Sequence, residues 1–222
     1  MIKIKLEKER GINVIDKICQ MLLNKMKKKM PEIDEERSEI IYYGLQNIIG
    51  EIPKFFILFV VAYIFGLLKL TIITYLIMLP YRAASGGFHI KSHIGCLIMT
   101  ILLFCGTAFL SKSVILEPVF LKYGFIVLTF IFGMIAITKY APADTDEVPI
   151  LRKKERSIKK ILSYMILSIT LLLSIFIKDQ VISNIMIFTA FFQTLTITRF
   201  MYKLTKSHYG YETYLKQEVQ NG

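Results

Sequence analysis

Residues 120–138 read FLKYGFIVLTFIFGMIAIT, and the only charge among them is Lys122. A helix in water needs a polar face, and this stretch has none, so it reads as a helix crossing a lipid bilayer. Working outward, apolar stretches recur at 94–111, 70–86 and 55–68 on one side and at 161–177 and 180–198 on the other. Several are shorter than the ~20 residues that span a bilayer unaided. The first can extend back through Ile48 and Ile49 if Glu51 and Lys54 face protein or the interface. Pro80 is expected to kink or end the lower half of the second stretch. Glu117 and Pro118 mark the turn before the fourth. With 54% hydrophobic residues in a chain of 222, the expected class is an all-α integral membrane protein of about six transmembrane helices.

The net charge of +11 is distributed in keeping with that class. Its basic residues lie between apolar runs rather than on one soluble face, which points to anionic lipid headgroups and away from nucleic acid. Of the 28 lysines and arginines, all but Lys69, Lys112, Lys122 and Lys178 fall in 1–54, 82–93, 139–160 and 199–222. The positive-inside rule then places those segments, and both termini, in the cytoplasm of a multi-pass cell-membrane protein. The chain divides into a cytoplasmic or interfacial amphipathic helical region at 1–53, a polytopic membrane domain at 54–199 and a cytoplasmic tail at 200–222. Near the start, Ile12, Ile15, Ile18, Cys19, Leu22, Leu23 and Met26 recur at helical spacing, a pattern that Pro31 stops. Lys17, Lys25 and Lys27 to Lys29 lie elsewhere around this helix, which suits a membrane surface. A second helix is expected from about Glu32 to Gly50, with Glu32, Asp34, Glu35 and Glu36 favouring its first turn. The opening MIKIKLEKER is too charged to hold the apolar core of a signal peptide.

One stretch, RAASGGFHIKSHIGC from Arg82 to Cys96, breaks the apolar pattern with small, cationic and reactive residues. The three cysteines, Cys19, Cys96 and Cys105, are an odd number without framework spacing, which leaves room for a free thiol. Cys19 and Cys105 read as small inert hydrophobes. Cys96 alone has a histidine close by. A free thiol, with a pKa near ~8.5, needs a helper to act as a nucleophile, and imidazole can take its proton and later return it to a leaving amine. His89 and Cys96 are seven residues apart, so an unbroken helix would set them ~10.5 Å apart along its axis. Proton transfer needs ~3 Å or one bridging water. A working pair therefore requires the backbone to turn, and Gly86, Gly87 and Gly95 give it that freedom. Cys96 would then sit in the first turn of the next helix, whose N-terminus favours an anion and offers N–H groups to an oxyanion.

Other readings of the same residues stay open at this level. His93, three residues from Cys96, could meet it on one helical turn. His89 and His93 could share a metal, but no glutamate follows His89 and no third ligand lies nearby, so no metal or cofactor is expected. Arg82 could snorkel to the interface, engage substrate carboxylates, or fix the loop through carbonyl oxygens.

The order Arg82, Gly87, His89, Cys96, followed by KYAPADTDEVPI at Lys139 to Ile150 and a basic segment at Arg152 to Lys160, resembles the AgrB family. These are the accessory gene regulator B proteins of Gram-positive quorum sensing, and the resemblance covers roughly residues 40–200. It implies a membrane cysteine endopeptidase, working as a homodimer, that processes an AgrD-like propeptide with an amphipathic leader, a central signal and an acidic tail. Cys96 would be the nucleophile and His89 the base, with Arg82, Gly86 and Gly87 supporting the site. An acyl-thioester would form as the tail leaves, and the substrate's own Cys or Ser would close a thiolactone or lactone ring. Basic segments such as Arg152, Lys153 and Lys154 suit the acidic tail. Asp144 is the candidate for orienting the histidine, but an Asp in a proline-rich turn more often caps backbone N–H groups. The rival reading is a peptide exporter or membrane-binding module without proteolysis of its own, suggested by the number of spans and the amphipathic N-terminal helix.

Overall fold

A computed structural model describes residues 14–30, 34–90, 92–114, 116, 119–146 and 149–221. Ile12, Pro31, Glu32, Glu117 and Pro118, which carry expectations above, lie outside them. The chain forms two compact units, Met1–Val60 and Val61–Gly222. The first contains α1 (Val14–Lys29) and most of α2 (Glu35–Ile64). Asp16 in the first turn of α1 and Lys27, Lys28 and Lys29 in its last complement the helix dipole. Cys19 is fully buried while Met21 is half exposed, so the helix has the two-sided character its spacing predicts. The Tyr42 hydroxyl donates to Asp16 Oδ1 at 3.4 Å and ties α2 to α1.

One expectation is corrected at α2. The sequence reading separates a helix at 32–50 from a span at 55–68 that can extend back through Ile48 and Ile49; the structure joins the two in a single helix through Pro53 from Glu35 to Ile64. Proline removes one i→i−4 bond, but the long apolar run that follows sustains the helix, as in membrane helices generally. The helix stops short of the predicted end. Gly66, at φ 64°, donates to Tyr63 O at 2.9 Å and Leu67 N donates to Ala62 O at 2.8 Å, the paired bonds of a Schellman C-cap.

The second unit holds α3 (Leu68–Ser85), α4 (His93–Ser113), α5 (Val119–Tyr140), α6 (Lys153–Phe176), α7 (Gln180–Thr196), α8 (Arg199–Leu204) and α9 (Gly210–Asn221). Each remaining predicted stretch falls on one of these helices. Pro80 lies inside α3 and does not end it. α6 starts well before 161 because its first two turns are basic. The segment expected as a tail folds into α8 and α9. Among the described residues, three helices are long and apolar enough to cross a membrane: α4 from Ile94, α5 and α6, with 20, 22 and 24 residues.

α7 packs against α3, α4, α5 and α6. Its surroundings are polar for a core: Ser183, Asn184, Thr189, Gln193 and Thr194 on α7, Thr71 and Thr74 on α3, and Thr107 and Ser111 on α4 are all buried. Apolar side chains such as Leu102, Leu128, Ile131, Met165 and Leu172 instead face outward, each about half exposed. That inversion suits lipid, where helices associate through close packing and hydrogen bonds rather than through burial of oil. Hydroxyls such as Thr107 and Ser111 bond back to the preceding turn. Asn184 Nδ2 donates to Val114 O at 2.8 Å and Ser111 O at 3.3 Å, closing the end of α4. At Gly133 an added Cβ would lie 2.4 Å from Leu167 Cδ2, so glycine lets α5 and α6 approach.

Candidate active site

The end of α3 delivers Arg82 to Ile90 into the opposite end of the α7 groove. Ser85 Oγ bonds back to Tyr81 O at 2.8 Å, and Gly86 N caps the helix on Arg82 O at 2.9 Å. At φ 77° and ψ −151° Gly86 occupies a region closed to residues with a side chain. There the chain meets the second motif in a parallel bridge between Gly86 and Ala143. Gly87 N donates to Ala143 O at 2.9 Å and Ala143 N to Ser85 O at 2.8 Å. A Cβ on Gly86 would stand 2.2 Å from Ala143 O. Gly87, at φ 151°, presses against Thr196 Oγ1 and Arg82 Nη1, with a virtual Cβ 3.0 and 3.2 Å from them. Only glycine fits either place. Gln193 of α7 completes the junction, its Nε2 donating to Gly86 O at 2.8 Å and to Ser85 Oγ at 3.0 Å.

Beyond the bridge the loop is held by its carbonyls. Arg82 Nη2 donates to Phe88 O at 3.2 Å. Phe88 is buried, His89 is exposed, and Ser207 Oγ donates to His89 O at 2.6 Å. Ile90 Cγ2 lies 3.0 Å from where a Gly95 Cβ would be. Ser92 caps α4 through its side chain, accepting from Gly95 N at 3.4 Å, and Cys96 N donates to Ser92 O at 2.8 Å. Cys96 therefore sits in the first turn of a helix, as the spacing argument requires. Of the three free cysteines, Cys19 and Cys105 are buried and Cys96 is partly exposed. His93 opens the same turn, but its side chain lies outside the described residues.

The APAD segment is a clasp. Asp144 is buried, and its Oδ2 accepts from Ile150 N at 2.9 Å and from Arg156 Nη1 at 3.0 Å. The turn reading of this aspartate, rather than an orienting role, matches those partners. Arg156 also reaches Ile150 O and Pro142 O, and its guanidinium lies 4.2 Å above the Tyr211 ring. Tyr202 donates to Asp144 O at 3.0 Å and stacks on Tyr209 with ring centroids 4.0 Å apart. Burial, reinforced in each case by a neighbouring tyrosine, pushes both phenols well above their ordinary range. Arg152, Lys153 and Lys154 stand exposed at the start of α6. Sequence reading passed over Gln193 and Ser207. Gln193 could have been found as the one amide in the apolar TAFFQTLT, whereas nothing local distinguishes Ser207.

Two motifs far apart in sequence thus share one junction, and comparison with known proteins gives that junction a family. The model of accessory gene regulator B matches residues 19–197. The chain belongs to the AgrB family. An AgrB-like protein of Clostridium acetobutylicum is 28% identical over 211 residues, covering 92% of this chain and 97% of its own. AgrB-like proteins of Listeria monocytogenes and Clostridium perfringens are 28% and 29% identical, over 82% and 73% of this chain and 87% and 76% of theirs. No solved structure matches. AgrB membership supports a role in the agr quorum-sensing system and implies an association with an AgrD-like propeptide.

Proposed function

We propose that this chain is a membrane-embedded cysteine endopeptidase that removes the C-terminal tail of an AgrD-like propeptide and leaves the remainder activated for cyclisation. The observation that carries the reading is the partly exposed Cys96 thiol in the first turn of α4, with the exposed His89 in the loop that leads into that helix. His89 takes the thiol proton and Cys96 Sγ attacks the carbonyl carbon of the bond before the tail. The N–H groups of His93 and Ile94, ahead of the first i→i−4 bond of α4, face the developing oxyanion. Collapse breaks the C–N bond, and His89 returns its proton to the leaving amine. The acyl group remains on Cys96 as a thioester. The substrate's own Cys or Ser gives its proton to His89 and attacks that carbonyl, forming the ring and releasing the Cys96 thiolate. Exclusion of water preserves the thioester for this exchange.

In this reading α2 to α7 supply six spans, both termini are cytoplasmic, the working unit is a homodimer, and the exposed Arg152, Lys153 and Lys154 attract the acidic tail. The experiment is co-expression with the propeptide, with cleavage followed by mass. Cys96→Ala and His89→Ala should leave the propeptide uncut while His93→Ala still processes it. Removing the substrate's own nucleophile should trap an acyl adduct on Cys96. Cleavage that survives Cys96→Ala sinks the mechanism and leaves the exporter reading.

A further inference from the structure

The His89 side chain is exposed, and the direction in which it leaves the chain begins with its backbone. Its Cα joins two peptide planes. The Phe88 carbonyl belongs to the first and accepts from Arg82 Nη2 at 3.2 Å. The His89 carbonyl belongs to the second and accepts from Ser207 Oγ at 2.6 Å. Holding both carbonyls restrains φ and ψ at His89 and with them the direction of its Cα–Cβ bond. One restraint comes from the same motif, the other from the far end of the chain.

The segment carrying Ser207 is itself anchored. Ser207 N donates to Tyr202 O at 2.9 Å, and Thr205 Oγ1, which donates to Met201 O at 2.8 Å, lies 3.1 Å from the Ser207 hydroxyl. Tyr202 bonds Asp144 O, Thr213 bonds Asp146 Oδ1 at 2.8 Å, and Tyr209 bonds Ile197 O at 2.8 Å. At Gly210 an added Cβ would stand 2.2 Å from Thr145 O. The segment therefore lies on the same 141–146 loop that Gly86 is bridged to.

We propose that Ser207 is a positioning residue for His89, and that residues 199–213 form a strap holding the histidine loop in working geometry. The proposal rests on His89 being the base of the Cys96 reaction. It is tested in the full chain in membranes, with Cys19→Ala and Cys105→Ala leaving Cys96 as the thiol. Two properties are measured: kcat and KM for propeptide cleavage, and the pH profile of Cys96 alkylation by iodoacetamide, which needs no substrate.

Misplacing a catalytic group by about 1 Å can cost on the order of 100-fold. Ser207→Ala is accordingly expected to lower kcat roughly 10- to 100-fold with little change in KM, and to move the alkylation profile toward that of His89→Ala. Ser207→Thr, which keeps the hydroxyl, restores both. A Ser207→Ala protein with the parent's kcat and alkylation profile, while His89→Ala alters both, overturns the positioning role alone. So does equal impairment by Ala and Thr, which marks a packing effect. If His89→Ala itself changes neither property, the histidine reading fails and the role of Ser207 fails with it.

Discussion

At Gly86 the demands of backbone and packing coincide. The φ, ψ pair of 77° and −151° costs a residue with a side chain about 1–3 kcal/mol, and the Ala143 carbonyl occupies the space a Cβ would need. A carbonyl cannot rotate away as a side-chain tip can. Gly86→Ala should therefore destabilise the protein by more than the strain alone and uncouple the two loops, seen as a lower thermal unfolding temperature in detergent. Gly106, inside α4 with nothing within 4 Å of its virtual Cβ, is the control. Ala there should be neutral or gain up to about 1 kcal/mol. The sequence pattern marked Gly86 and Gly87 as needed for a turn, but not that Gly86 pairs with Ala143. That pairing depends on a carbonyl supplied by a distant segment, and periodicity reports only near neighbours.

Among the elements, the spans were legible and the connections less so. Apolar runs persist over many residues and identify α3 to α7 from composition alone, whereas α6 begins in basic turns that hydropathy passes over. α8 and α9 carry too many polar residues to stand out. They fold because Tyr202, Tyr209 and Tyr211 give them something to pack with: a tyrosine stack and the Arg156 guanidinium. Arg156 ties four pieces together, touching Asp144, Ile150, Pro142 and Tyr211. Removing one partner of a buried ion pair typically costs about 3–5 kcal/mol, and Arg156→Ala should lie near the lower end because the arginine is partly exposed. Arg156→Lys should recover only part of the loss, since an ammonium cannot fork across those acceptors or lie flat on the ring. Thermal unfolding, with hydrogen exchange at 141–150, measures both.

For the molecule as a whole, buried hydroxyls and amides within the core, together with an apolar exterior, point to lipid as the solvent before they say anything of orientation. The distribution of lysine and arginine predicts an orientation, and single-cysteine labelling tests it. In a Cys96→Ala chain without the other cysteines, thiols placed at Lys153 and Lys206 should react only from the cytoplasmic side. Thiols at Lys112 and Lys178 should react only from the outside; the reverse pattern refutes the topology. The order of the fasteners has a consequence for biogenesis. His89 and Cys96 leave the ribosome long before Gln193 and Ser207. At roughly 5–20 residues per second, the stretch from Cys96 to Ser207 takes on the order of 5–20 s to synthesise. Throughout that interval the nascent chain carries its imidazole on a loop without the hydrogen bonds from Gln193 and Ser207. A message broken after α7 would leave such a chain in the bilayer for good, inserted but unfinished.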